Sequence, residues 1–535
     1  MNNLMMEYRL HRGLSPMAVS SFRRVLAILL SIFILVVPSA ESATGKKKTT
    51  SRKKPAATRK ASVRKKAAPA RPAVAVVVGA TFEERLNSLV NGPLARSATS
   101  SIRVVEVESG RVIAERNPDL PVAPASNMKL FTTGAALDLL SSSFEFRTGV
   151  FMRGAPDSTG RLRGDVKVVG GGDPTFGGRF HDGKATAVLE NFATDLKAAG
   201  VQTIEGDLIF EYGYFDTEYV HPTWPRDQLV NWYEAPVAAL SMQEGTVLVR
   251  VLPGRRGRAA IVQLEPPNRY VTVKNSARTG GGRGIFITRQ AGTNNIIVRG
   301  NVPPRSGATE VYVTVLNPVH YFASVTRDTF ERSGIRITGE VKLVEALPGA
   351  DWNRVSEHKT PLPVVVYVIN KVSQNHYAEQ LLKTLAAEKA GRGSWPAGAQ
   401  LVEQWLTTRV RVPPGEFDMI DGSGMSRFNR ASSSAFTDLL RYMWSTPSRR
   451  DFVSSMPYSG EPDSRLRRRL NQEPYARQVY AKTGYISGVI GLSGYVHAQS
   501  GKIYAFSFLF NSYPTGVWGI YNLQDEMLKE IVRSG

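Results

Sequence analysis

Ser126-Asn127-Met128-Lys129 heads a run that reads as a helix through Leu139 or Leu140. Pro124 and Ser126 suit a helix start: proline has a preset φ and a serine hydroxyl can cap free N–H groups. Residues three apart share a helix face, so the Lys129 amine can reach the Ser126 hydroxyl. A serine hydroxyl is a poor nucleophile until a base takes its proton. A lysine is such a base only when burial or nearby cations keep it neutral. Taken alone, Ser-x-x-Lys is a weak signal that occurs by chance in many chains.

Two further short motifs follow. Ser373-Gln374-Asn375 begins 247 positions after Ser126. On a loop or helix start its hydroxyl can relay a proton and its amide can bond a substrate amide and the first lysine. The plain alternative is an N-cap for the next helix. Lys482-Thr483-Gly484 closes a strand expected over 479–482. An edge strand there can pair with an extended peptide, and Gly484 lets a backbone approach. Its plain alternative is an ordinary turn.

In this order and context the three motifs form the set of penicillin-binding proteins and class A β-lactamases. The chain resembles the serine penicillin-recognising enzymes, and more narrowly the D-alanyl-D-alanine carboxypeptidase/endopeptidase family, the class C low-molecular-mass penicillin-binding proteins. The closer likeness rests on the long gap between the first two motifs and on Gly170-Gly171-Gly172-Asp173-Pro174-Thr175. It also rests on Asp421-Gly422-Ser423-Gly424-Met425-Ser426-Arg427, and on Ala481-Lys482-Thr483-Gly484 leading to Leu492-Ser493-Gly494-Tyr495. It covers the chain from about Phe82 to the C-terminus.

The resemblance implies an α/β (α+β) transpeptidase fold of the penicillin-binding/β-lactamase type. Its antiparallel sheet and helices would be interrupted by a large β-rich insertion of two nested domains. It implies an acyl-enzyme on Ser126, with Lys129 as acylation base and Ser373 carrying the proton to the departing amine. Asn375 would orient substrate and Lys129, and Lys482, Thr483 and Gly484 would hold the substrate's terminal carboxylate and backbone. Backbone N–H groups of Ser126 and Tyr485 would form the oxyanion hole, worth about 3–4 kcal/mol per donor in comparable enzymes. Tyr485 departs from the family, where small residues follow Lys-Thr-Gly. No cofactor or metal is implied. The partners implied are peptidoglycan stem peptides, with β-lactams as inhibitors. Glu211 stands where the family tends to carry an acidic residue for an amino group of the stem peptide; a solvated strand-end carboxylate is the preferred reading. The Asp421–Arg427 stretch is expected to shape the cleft floor or rim, and Trp232, Tyr233 and Pro236 to pack between modules.

Composition agrees. At 535 residues, with 42% hydrophobic residues, the chain has material for several domains. Absent cysteine rules out disulfides and thiolate chemistry. The closest two of the seven histidines, His358 and His376, are 18 apart, so no local metal motif exists. Of the net charge of +22, twelve Lys/Arg without an acid fall between Lys46 and Arg71, leaving +10 for the rest. Nucleic acid is therefore not an expected partner; anionic envelope polymers are candidates for the tail.

The expected organisation begins with a signal peptide over 1–43. Arg23 and Arg24 precede an apolar stretch over 25–37, and Ala40 and Ser42 suit a cleavage site. That stretch is short of the ~20 residues a membrane helix needs, although an uncleaved anchor is the alternative. Export to the periplasm or cell envelope follows. A disordered basic linker over 44–75 comes next. A peptidase domain is expected over 76–145 and 359–535. An insert domain takes 146–240 and 311–358, with a nested one over 241–310. Helices are expected over 82–90, 187–199, 318–333, 373–389, 397–407, 433–445, 464–471 and 517–532, and late strands over 491–497 and 503–510.

Two other enzyme or binding classes fare worse. A class A β-lactamase needs Glu-x-x-x-Asn between the second and third motifs, and none of the glutamates there has Asn four later. The Gly-x-x-x-x-Gly-Lys spacing over 178–184 is followed by Ala185, not the Ser or Thr a phosphate loop requires. A catalytically inert wall-binding scaffold of the same fold remains the alternative.

Overall fold

The computed structural model describes residues 79–535 apart from positions 283 and 350. The apolar stretch 25–37, Ala40, Ser42 and the basic linker 44–75 lie outside the described residues. Among the described residues no helix is long and apolar enough to cross a membrane.

Helix α1 (Phe82–Val90) starts with a reciprocal cap. Glu84 N–H donates to Thr81 Oγ1 and Thr81 N–H donates to the Glu84 carboxylate, satisfying two otherwise free donors. Strands β1 (Thr99–Glu106) and β2 (Val112–Arg116) follow, then α2 (Met128–Leu139). After the insertion come α3 (Leu362–Lys371), α4 (Asn375–Ala390), α5 (Trp395–Trp405) and α6 (Ser433–Ser445). Strands β3 (Val479–Ile486), β4 (Val489–His497) and β5 (Ile503–Asn511) and helix α7 (Val517–Ser534) end the chain.

The five strands form one antiparallel sheet in the order β2-β1-β5-β4-β3. The first strand thus pairs with the last, Thr99 opposite Asn511 through Glu106 opposite Tyr504. Strand β5 is buried along nearly its whole length because both sheet faces are covered. Its side chains alternate between two cores. Ala505 and Leu509 enter one with Phe131, Leu385 and Phe436. Tyr504, Phe506, Phe508 and Phe510 enter the other with Leu86, Met527 and Leu528. This part of the chain is therefore a helix–sheet–helix sandwich with β3 at the sheet edge, bridged by the 457–459 segment as far as Ala481 and open beyond it.

The insertion leaves and returns as neighbouring antiparallel strands, Glu145–Arg153 and Trp352–Pro361, with Glu145 opposite Pro361. These belong to a five-stranded sheet with Val166–Val169, Leu208–Glu211 and Val341–Val344. Further on lie a three-stranded sheet (Thr246–Leu252, Ile261–Glu265, Thr309–Thr314) and a four-stranded one around Asn295–Val302. One apolar cluster, including Val150, Phe210, Val249, Ile296 and Phe322, runs through all of them.

Helix α3 stands where no element is expected, and two expected elements differ. The segment 464–471 is a succession of turns, not a helix. Arg465, Arg468 and Arg469 would repel one another at helical spacing, and Asp463 and Leu470 sit at φ +63° and +49°. Strand β3 continues past 482 to Ile486 because its pairing with β4 holds up to the turn at Ser487-Gly488. Lys482-Thr483-Gly484 therefore lies mid-strand.

Candidate active site

Ser126 sits on a 3₁₀ turn, Ala125–Asn127, that runs into α2. The α-helix proper begins at Met128 with Asn127 at its cap position, so the Ser126 hydroxyl caps nothing and points elsewhere. The turn packs tightly against the sheet edge. A Cβ on Gly484 would lie 2.8 Å from Pro124 O, and one on Gly491 of β4 would run into the Asn127 amide. Only glycine lets the two strands come that close to the serine.

Lys129, one turn on, is fully buried. Its Nζ lies 3.0 Å from Ser126 Oγ, 2.7 Å from Asn375 Oδ1 and 2.6 Å from the Ser423 carbonyl. The last two are acceptors only. A neutral amine has two N–H groups and one lone pair. It satisfies both carbonyls and leaves the lone pair for the Ser126 proton. Burial pushes Lys129 down to about 7, against the pull of the Glu379 and Asp421 carboxylates.

The segment carrying that carbonyl is held from below. Glu379, one turn beyond Asn375 on α4, accepts from Ser423 N–H (2.8 Å), Gly422 N–H (3.0 Å) and the Trp395 indole (2.8 Å). Burial and the Asp421 charge push Glu379 up to about 7, resisted by those hydrogen bonds. Asp421 accepts from Gly424 and Ser426 N–H, the Asn429 amide and the Trp224 indole. Asp421 to Arg427 is therefore a cleft-floor turn tied to its own carboxylate.

Ser373 adopts φ +63° between α3 and α4. It does not cap α4; Gln374 does, its side chain accepting from His376 N–H. The Ser373 hydroxyl accepts from Lys482 Nζ at 2.8 Å, and Lys482 also donates to the Thr483 carbonyl. Burial, with the nearby Lys129 and Arg465 charges, lowers Lys482 well below an ordinary lysine. Asn375 Nδ2 donates to the Tyr233 carbonyl at 2.8 Å. Tyr233 therefore serves the site through its backbone, beyond the packing role expected of it. His376 is fully buried and pushed down to about 3 by that burial, so it stays neutral.

Ser126, Lys129, Ser373, Asn375, Lys482 and Gly484 thus converge on one cleft. Thr483 and Tyr485 alternate to the other face of β3, and the Tyr485 ring is 48% exposed. Glu211 ends its strand in the insertion, partly exposed and paired with Lys167 at 2.9 Å rather than with a cleft residue. The 178–184 stretch forms no phosphate loop: Arg179 and Lys184 are engaged by Glu244 and Glu190. Sequence reasoning missed Glu379, the Ser423 carbonyl and the Tyr233 carbonyl. Only Glu379 left a signal, its i+4 spacing from Asn375 on one helix face.

Residues 82–527 match the D-Ala-D-Ala carboxypeptidase 3 (S13) family. A D-alanyl-D-alanine carboxypeptidase of Actinomadura sp. (strain R39) is 32% identical over 465 residues, 83% of this chain and 84% of that protein. The fold is similar to that of penicillin binding protein 4 (dacB) of Haemophilus influenzae, with a TM-score of 0.70 and 22% identity, covering 83% of this chain and 99% of that one. The same protein complexed with a β-lactam gives a TM-score of 0.66 at 22% identity, covering 84% and 99%. With a match running from the first described helix into the last, the chain belongs to the D-Ala-D-Ala carboxypeptidase 3 (S13) family.

Proposed function

We propose that this chain is an exported serine D-Ala-D-Ala carboxypeptidase, with DD-endopeptidase action on cross-links, acylated on Ser126. The carrying observation is the contact of Lys129 Nζ with Ser126 Oγ at 3.0 Å while two carbonyls occupy its N–H groups.

Lys129 takes the hydroxyl proton as Ser126 Oγ bonds to the carbonyl carbon of the scissile D-Ala–D-Ala amide. The resulting oxyanion is stabilised by the Ser126 and Tyr485 N–H groups. The proton taken by Lys129 is relayed through Ser373, whose oxygen Lys482 holds, to the departing amine; the C–N bond breaks, and Lys129 is left neutral and Ser373 protonated as before. D-Alanine leaves and an ester on Ser126 remains. Water, deprotonated by Lys129, attacks the ester carbon; the bond to Ser126 Oγ breaks, and Lys129 returns the proton to that oxygen. Lys482 holds the substrate carboxylate, and the peptide runs along the open part of the β3 edge, past Lys482. A β-lactam acylates the same serine, and its tethered leaving group slows the hydrolytic step.

The peptidase domain is assigned to 76–145 and 359–535, with insert domains over 146–240 with 311–358 and over 241–310. Periplasmic location is supported by the Arg-flanked apolar stretch 25–37. The basic linker is read as a spacer able to hold anionic envelope polymers. No observation favours the inert-scaffold alternative.

Release of D-alanine from an N-acylated D-Ala-D-Ala peptide tests the activity. The enzyme is expected to release one equivalent per peptide, and Ser126→Ala to lower the rate at least about 10³-fold. Equal rates for the two would refute the assignment.

A further inference from the structure

The face of β3 away from Ser126 has no part in the mechanism above. Val479 and Ala481 on that face pack with Met527 and Leu528 of α7, so Thr483 and Tyr485, in the same alternation, emerge beside the start of that helix. Trp518 on its first turn is 77% exposed and Tyr485 48% exposed. The Trp518 ring meets Tyr521 edge-on at 5.9 Å, and Tyr485 is near enough to Tyr521 and Tyr513 to act on their hydroxyls. Arg469 lies over the Tyr521 ring at 5.1 Å, anchored by Asp525 at 2.7 Å. Arg465 acts electrostatically on both Tyr521 and Lys482, which ties this ridge to the cleft. Arg467 and Arg468, on the same run of turns, are exposed and have no carboxylate partner among the described residues.

Exposed aromatic rings gathered beside a substrate edge mark a ligand surface. Their flat faces suit the C–H faces of pyranose rings, while Tyr hydroxyls and the indole N–H suit sugar hydroxyls. Free guanidinium groups pair with carboxylates, which stem peptides carry beside their sugars. The positive rim faces a polymer of opposite charge, and the ridge is continuous with the strand along which the peptide arm lies.

We propose that Tyr485, Trp518, Tyr521 and the Arg467-Arg468 rim dock the glycan strand from which the substrate peptide branches. The enzyme would thereby prefer polymeric peptidoglycan to free peptide. This rests on the reading of Ser126 as the acylated nucleophile.

The test compares the rate on insoluble purified peptidoglycan with the rate on a short N-acylated D-Ala-D-Ala peptide, for the full enzyme, for Trp518→Ala and for Arg467→Gln/Arg468→Gln. Labelling by fluorescent penicillin reports that the cleft is folded. The polymer-to-peptide rate ratio is expected to fall about fivefold in each variant. A ratio that stays within about twofold overturns the docking surface and leaves Ser126 standing. A dimer in solution that both variants abolish would show the ridge to be a self-interface and also overturns it. Failure of penicillin to label even the unsubstituted enzyme overturns the underlying reading and this proposal together.

Discussion

Lys129 needs its lone pair, and its surroundings decide the pH at which it has one. Burial holds its pKa near 7, with Glu379 and Asp421 pulling toward the ammonium form and Lys482 the neighbouring cation. Below about 7 the amine is protonated and cannot accept the Ser126 proton, so acylation by penicillin should rise with pH through that value. Glu379→Gln removes one of the two carboxylates favouring the charged form. The rising limb should therefore move to lower pH in the pH profile of the acylation rate constant. An unmoved or upward-shifted limb would mean that another group controls the step. At this scale the sequence was eloquent about side chains with chemistry of their own, Ser126, Lys129, Ser373 and Lys482. It was silent about the Ser423 and Tyr233 carbonyls, because a backbone acceptor leaves no mark on residue type.

Helix α3 ends at Lys371, two residues before Ser373. Its ammonium is buried and paired with Glu461 at 3.0 Å, and it also donates to the Met456 carbonyl. The pair fastens the turn bearing Ser373 to the segment that leads into β3. Removing one partner leaves an uncompensated buried charge, so Lys371→Met should cost about 3 kcal/mol of stability. It should also slow acylation, because Ser373 loses its anchor. Urea unfolding and penicillin-labelling rates measure the two effects, and an unchanged midpoint would contradict the assignment. The elements that were legible carried strong local signals. Amphipathic spacing fixes helices 433–445 and 82–90 to the residue. Helix α3 was not anticipated: Val364-Val365-Val366 and Val368 are poor intrinsic helix formers, and burial among Val365, Ile369 and neighbouring helices overrides them. The Arg-rich segment 464–471 is the reverse case, its helical periodicity outweighed by charge repulsion and by two left-handed residues.

Across the whole molecule, the cleft exists because distant parts of the chain are brought together. Strand β1 pairs with β5 across some four hundred positions. The insertion exits and returns as adjacent strands, so its length does not separate Ser126 from Ser373 in space. That closure was not readable from periodicity, which reports local pattern only. The order of the three motifs, each weak alone, implies it. The central claim is that these segments make one acylating site. Intact-mass measurement after benzylpenicillin, with peptide mapping, tests it on the full enzyme and on Ser126→Ala, Lys129→Ala and Lys482→Ala. The account predicts one penicilloyl adduct, on the peptide containing Ser126. The adduct should be absent in Ser126→Ala, and its formation should be at least about 10²-fold slower in the two lysine variants. An adduct on any other residue, or one that forms at full rate without Lys129, would contradict it.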